Sequence, residues 1–302
     1  VQALQAVCYS KKTMLVYLDT KDLIDVLEGE TPCTDELTKL LVLGDHELTI
    51  SFATITELAA PLVRRHAKTN VMRLLNKLER LPLRFIHEAR IEKLELQEAV
   101  DAFSRSRKYS PVDPFVARFD QTIDLHGSLQ TKRFLRYPLA ETVFDIWQAN
   151  PEVLQSRDRH LAMLRQALQS DRMRNDPPDL AEHFRTTVRR DLDLYGVLFP
   201  SEATARLADW IYERAHRCPA LRLGYELYHH LRRNRSDPSQ AGDLGDFAHV
   251  HCLPYVDLMT LDRRMRGYVS QALKTLGVDY CTKVVNGLPE VHEALTGRRG
   301  RA

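Results

Sequence analysis

Met14-Leu15-Val16-Tyr17-Leu18 is a compact apolar run that stops at Asp19-Thr20 and gives way to the helical spacing Leu23, Ile24, Val26, Leu27. A segment apolar at every position suits a strand covered on both faces, as in parallel sheets. The pattern recurs. Leu48–Phe52 concentrates β-branched and aromatic residues. Behind it, Thr54-Ile55-Thr56-Glu57-Leu58 has the spacing of a capping box and predicts a helix start. Leu83–Ile86 predicts a third strand, followed by a helical period through Ile91, Leu94, Leu96, Ala99, Val100 and Phe103. Strand and helix in alternation predict an α/β fold, a mostly parallel sheet flanked by helices.

The middle of the chain reads differently. Between Tyr137 and Arg235 no strand pattern appears. Helices are expected over Leu139–Ala149, Glu152–Gln169, Leu180–Leu194, Glu202–His216 and Leu221–Arg233, punctuated by Asn150-Pro151, Asp176-Pro177-Pro178, Phe199-Pro200-Ser201 and Cys218-Pro219. The α/β pattern then resumes. A helix is expected through Phe247, Val250 and Cys252, a strand at Tyr255–Thr260, and a helix at Arg264–Leu276. A short strand at Val278–Cys281 and a helix at Pro289–Leu295 complete it. The expected organisation is therefore a first α/β half over 13–115, an all-helical inserted subdomain over 116–238, a second α/β half over 239–296 and a basic tail over 297–302.

Charge narrows the class of function. The 302 residues carry 43 Lys and Arg against 41 Asp and Glu, which excludes a histone-like polycation and an acidic disordered chain. The helical block has 19 basic against 16 acidic residues from Arg118 to Arg235, too even for a nucleic-acid clamp on charge alone. No apolar run approaches the roughly 18 residues of a membrane span, so no membrane partner is expected. The first seven residues lack the charged and apolar regions of a secretory signal. Five scattered cysteines without C-x-x-C spacing predict free thiols and a reducing, cytoplasmic setting.

Four carboxylates fall where such a fold can do chemistry. Asp19 ends the first strand, Glu57 lies in the first helical turn after the second, Asp246 follows Gly242-Asp243-Leu244-Gly245, and Asp262 follows the strand Val256–Met259. Ligand crevices of open α/β sheets lie beyond the carboxyl ends of the strands. Clustered carboxylates repel one another, and a hard divalent cation is one way to hold them ionised together.

At these residues the chain resembles the PIN-domain family of metal-dependent nucleases. Tyr17-Leu18-Asp19-Thr20-x-x-Leu23-Ile24 looks like the family's opening strand and first acid, and Ile50-Ser51-x-x-Thr54-x-x-Glu57-Leu58 like its second. Gly242-Asp243-x-x-Asp246, with Leu253-Pro254-Tyr255-Val256-Asp257-x-x-Thr260-x-Asp262, looks like the third and fourth. The resemblance covers about residues 13–110 and 240–296. It implies a PIN-like α/β domain interrupted by the helical insertion, and an endoribonuclease using Mg²⁺ or Mn²⁺. Asp19, Glu57, Asp246 and Asp262 would be ligands and Asp243 and Asp257 auxiliary acids. The hydroxyls of Thr20 and Thr260 would orient carboxylates or water. The implied partner is nucleic acid, RNA before DNA, with a homo-oligomer or a neutralising protein partner by family analogy. The chain departs from the family pattern at Lys21, where Asn is usual, and in the length of its insertion. Lys21, Arg263 and Arg264 are the cations expected to meet phosphate.

Each acid also has a purely structural alternative. Asp19 and Asp262 can cap the helices that follow them, a role worth about 1 kcal/mol. Glu57 can complete the capping box with Thr54, and Asp246 can favour a helix dipole from solvent. His249-x-His251-Cys252 suggests zinc, but residues two apart point to different helix faces and no second ligand pair follows. Neither G-x-S-x-G nor a Walker A sequence occurs. A phosphatase of the haloacid dehalogenase type would need an acid at position 21. The rival from another class is a non-catalytic scaffold acting through the helical insertion.

Overall fold

A computed structural model describes residues 13–29, 34–43, 46–65, 68–122, 138–149, 179–234 and 243–297, together with the single positions 166 and 170. Its six strands are β1 (Leu15–Tyr17), β2 (Glu47–Ser51), β3 (Leu83–Ile86), β4 (Phe115–Val116), β5 (Leu258–Thr260) and β6 (Lys283–Val285). They form one sheet in the order β4-β3-β2-β1-β5-β6, parallel throughout except for the antiparallel β3–β4 pair at one edge. The expected α/β class is what the chain adopts. β1 lies centrally, with Val16 opposite Leu48 on one side and Leu258 on the other.

Side-chain alternation along the strands explains why both faces are covered. Val16, Leu18, Leu48, Ile50 and Leu258 point into one core. There they meet α1 (Thr20–Glu28), α2 (Thr34–Leu43), α3 (Phe52–Arg65), α4 (Lys68–Leu78), α6 (Leu139–Ala149) and α12 (Leu288–Thr296). Tyr17 and Met259 point the other way, into a core built with α5 (Glu88–Ser104), α9 (Pro219–Arg233), α10 (Asp243–Val250) and α11 (Arg263–Leu276). α1 stops where Gly29 takes a left-handed φ of 75°, which a residue without Cβ adopts at little cost.

The segment expected as one helical insertion divides among three places. α6 joins the first core, where Trp147 stacks near Phe52. α9 joins the second and packs along α11. Only α7 (Leu180–Tyr195) and α8 (Thr204–Tyr212) form a further layer, closing Phe184, Val188, Leu207 and Ile211 over Leu96 and Ala99 of α5. The aromatics Phe184, Trp210 and Tyr212 pack in that core. The helix expected at Glu152–Gln169 and the tail beyond 297 lie outside the described residues.

Glu95 of α5 ties the outer layers together. Its carboxylate is fully buried and accepts from the amides of Ala220 (2.8 Å) and Leu221 (3.0 Å) at the start of α9, where free amides and the helix dipole favour negative charge. The Tyr255 hydroxyl donates to the same group.

Several boundaries differ from expectation. Pro254 turns Leu253–Tyr255 into a 3₁₀ segment, so β5 starts only at Leu258. The last strand is Lys283–Val285, not Val278–Cys281, because Asp279 accepts from the Cys281 amide (2.8 Å) and folds that stretch into a turn. Cys218 and Cys252 are free and buried, as expected, but Cys281 is disulfide-bonded. Spacing alone could not show this, since pairing depends on which thiols the fold brings together.

Candidate active site

At β1 the chain leaves toward β2 on one side and is flanked by β5 on the other, the arrangement that opens a crevice beyond the carboxyl ends of the strands. Asp19 lies two residues past β1 at the head of α1. It occupies the N-cap position, yet its side chain makes no capping bond. Its own amide donates instead to the Thr260 hydroxyl (2.7 Å), at the buried end of β5. Thr260 also hydrogen-bonds the carboxylate of Asp22. The Thr20 hydroxyl in turn donates to Glu57 Oε2 at 2.6 Å.

The capping-box alternative for Glu57 fails. α3 begins at Phe52, and the cap is Ser51, whose hydroxyl accepts from the Thr54 amide (3.2 Å). Glu57 is left facing Thr20 and His249, whose Nε2 lies 3.1 Å from Oε2. The buried His249 ring is held from behind. Its Nδ1 is 2.6 Å from the Tyr17 hydroxyl, which also meets Ser51 (2.8 Å) and Thr54 (3.0 Å). In the neutral ring Nε2–H donates to Glu57 while Nδ1 accepts from Tyr17. In the charged ring both nitrogens donate and the Tyr17 hydrogen turns to Ser51 or Thr54. Glu57 keeps its partner either way.

Electrostatics show which acids the fold has gathered. Burial raises the pKa of Asp19, and Glu57 and Asp262 push it further, with His249 opposing. Asp246 is pushed up to about 7, first by burial and then by the charges of Asp19, Asp262 and Glu57, again against His249. Asp19 and Asp246 thus each feel the charges of Glu57 and Asp262, although the chain separates Asp19 from Asp262 by more than 240 positions. Burial would lower the pKa of His249, but its bond to Glu57 and the charges of Glu57, Asp19 and Glu88 prevail and raise it. Asp22, not singled out from the sequence, belongs here too: burial and the neighbouring Asp19 raise its pKa. His249 and Asp22 each stand three residues after a predicted acid on a helix, a spacing that shares one face and could have exposed both.

No family model, curated protein or solved structure matches the chain.

The remaining candidates divide. Asp262 does cap α11, its Oδ1 accepting from the Met265 amide at 2.6 Å, and still contributes its charge to the cluster. Asp257 does not join: it stands at the amino end of β5, where Oδ2 accepts from the Leu15 amide (2.7 Å), at the opposite edge of the sheet. Asp243 opens α10, and its side chain lies outside the described residues. Lys21 is exposed beside Asp25 at 3.9 Å. Arg263 and Arg264 line an open groove of about 440 Å³ with Asn234, Gly267, Tyr268 and Gln271, beginning next to Asp262. His251 points away from His249, toward Glu92 at 3.5 Å, as the spacing required. Among the described residues no three His, Cys, Asp or Glu side chains stand at coordinating distance from a common point.

Proposed function

We propose that the chain is a metal-dependent phosphodiester hydrolase, a PIN-like nuclease with RNA as its expected substrate. The observation that supports this reading is that Asp246, raised to about 7 first by burial, also feels the charges of Asp19, Asp262 and Glu57. Such destabilised acids mark functional sites more often than chance placement does.

The donor set fits a hard divalent ion in chemistry, since every candidate ligand is a carboxylate oxygen. Mg²⁺ or Mn²⁺ held by Asp19, Glu57, Asp246 and Asp262 would supply an activated water and offset charge building on the phosphate. Binding would have to draw these groups together. Thr20 and His249 fix one oxygen of Glu57, and Met265 fixes one of Asp262, leaving each carboxylate a second oxygen. Arg263 and Arg264, which follow Asp262 in the chain and line an open groove, would hold the flanking phosphates of a bound strand. Their planar guanidinium groups suit that contact.

The test is cleavage of labelled single-stranded RNA and DNA with Mn²⁺, Mg²⁺ or EDTA. Metal-dependent cutting of RNA that disappears in folded Asp19→Asn and Asp262→Asn supports the reading. If the wild type cuts nothing and calorimetry detects no Mn²⁺ binding, the scaffold reading replaces it.

His249 should act by positioning Glu57. His249→Ala is expected to lower the cleavage rate about 10- to 100-fold, the usual cost of losing a residue that orients a ligand. His249→Gln retains a donor toward Glu57 and should recover part of that loss. Equal rates for the Ala variant and the wild type would remove His249 from the site.

A further inference from the structure

A second cationic feature lies apart from the acids. Lys68, Arg73, Lys77 and Arg80, with Thr69, Met72 and Asn76, line a groove of about 590 Å³ along α4 and the turn after it. Lys77 Nζ donates to the Leu27 carbonyl (2.6 Å), in the last turn of α1. Asp19 heads the opposite end of α1, nine residues and roughly 13 Å of helix away.

Cations on a helix surface usually form a solvated face. These differ in what holds them. Lys68 sits over the Phe144 ring at 3.7 Å from its centroid. Lys77 is held by a backbone carbonyl, and Arg73 by the Asn70 amide oxygen at 2.7 Å together with Glu28 at 3.0 Å. Uncharged groups therefore fix Lys68 and Lys77 without cancelling their charge, and Glu28 is the one carboxylate paired with a groove cation among the described residues. Arg80 is exposed. The result is a concave, pre-ordered strip of positive charge.

From this arrangement we infer that the α4 groove binds the sugar–phosphate backbone of single-stranded nucleic acid, as a docking site separate from the acid cluster. Guanidinium and ammonium groups meet phosphate, and Thr69 and Asn76 add donors of the kind that contact phosphate and sugar. Among the described residues no aromatic side chain lines the groove, so they offer no stacking platform. Binding there should be independent of sequence and steeply dependent on salt. The inference does not need the acids to be catalytic.

The test measures binding of a fluorescent uridine homopolymer to the full chain in EDTA, so that binding is read apart from cleavage. Each phosphate contact to a single strand contributes about −0.7 to the slope of log K against log salt. Lys68→Gln with Arg80→Gln should make that slope shallower by about 1.4 and weaken binding at low salt. An unchanged slope in the Lys68/Arg80 variant, with its thermal unfolding intact, overturns the inference, as does a wild type that binds no homopolymer. Polyglutamate bound in preference to RNA, and lost in the same variant, would assign the groove to an acidic protein segment and overturn it as well.

Discussion

Asp19→Asn and Asp246→Asn are each expected to lower metal-dependent RNA cleavage by about 10²- to 10³-fold, the scale on which one pre-placed electrostatic group contributes to catalysis. Far-ultraviolet circular dichroism should not change, because Asp19 makes no capping bond that the amide would lose. The same acids predict the pH dependence of metal binding. Asp246 has its pKa raised to about 7, so its carboxylate is protonated below that pH and protons compete with the ion. Mn²⁺ affinity should therefore fall as pH drops through about 7, and Asp246→Asn should flatten that part of the curve. Calorimetric titrations at pH 6 and pH 8 check this, and equal wild-type affinities at both would remove Asp246 from the ligand set. Asp257→Asn is the internal contrast, since that carboxylate bonds Leu15 at the far edge of the sheet and its loss should leave cleavage intact.

The largest effect on stability is expected at Glu95. Glu95→Ala leaves the Ala220 and Leu221 amides and the Tyr255 hydroxyl without their buried acceptor, at about 1–3 kcal/mol for each unsatisfied group. A loss of about 3–5 kcal/mol in urea unfolding is expected, and less than about 1 kcal/mol would show that the three contacts are dispensable. Burial pushes the Glu95 carboxyl from its ordinary 4.5 up to about 8, against the pull of its three donors. Between those values the folded chain holds a proton that the unfolded chain releases. Stability from this group is therefore full below about pH 4.5, falls as pH rises toward 8, and levels off above. Glu95→Gln should remove that component of the slope.

The strands β1, β2 and β3 were legible because each is a short apolar run bounded by polar or turn residues. The edge strand β4 was not, since two residues, Phe115-Val116, carry no period. α2 and α4 were not legible either, each being a second helix between consecutive strands. β6 was displaced by five residues because Val278-Asp279-Tyr280-Cys281 has the composition of a strand but begins just after Gly277 in its left-handed turn and is folded by Asp279. Asp19, Glu57 and Asp262 stand after β1, β2 and β5, where the strand patterns put them. The Tyr17–His249–Glu57 chain of hydrogen bonds was not legible, because it joins residues from three distant segments and only the folded sheet brings them within 3.1 Å.

β1 takes one neighbour from residues 47–51 and the other from residues 258–260. During synthesis the first wall of the acid crevice can fold early, but Asp246 and Asp262 emerge some two hundred residues later. Until they do, Asp19 and Glu57 lack both His249 and their opposing acids. On the proposed reading, a nascent or truncated chain ending before α10 lacks Asp246 and Asp262 and should not cut, whatever else it has folded. The acid crevice is thus completed only when β5 closes onto β1.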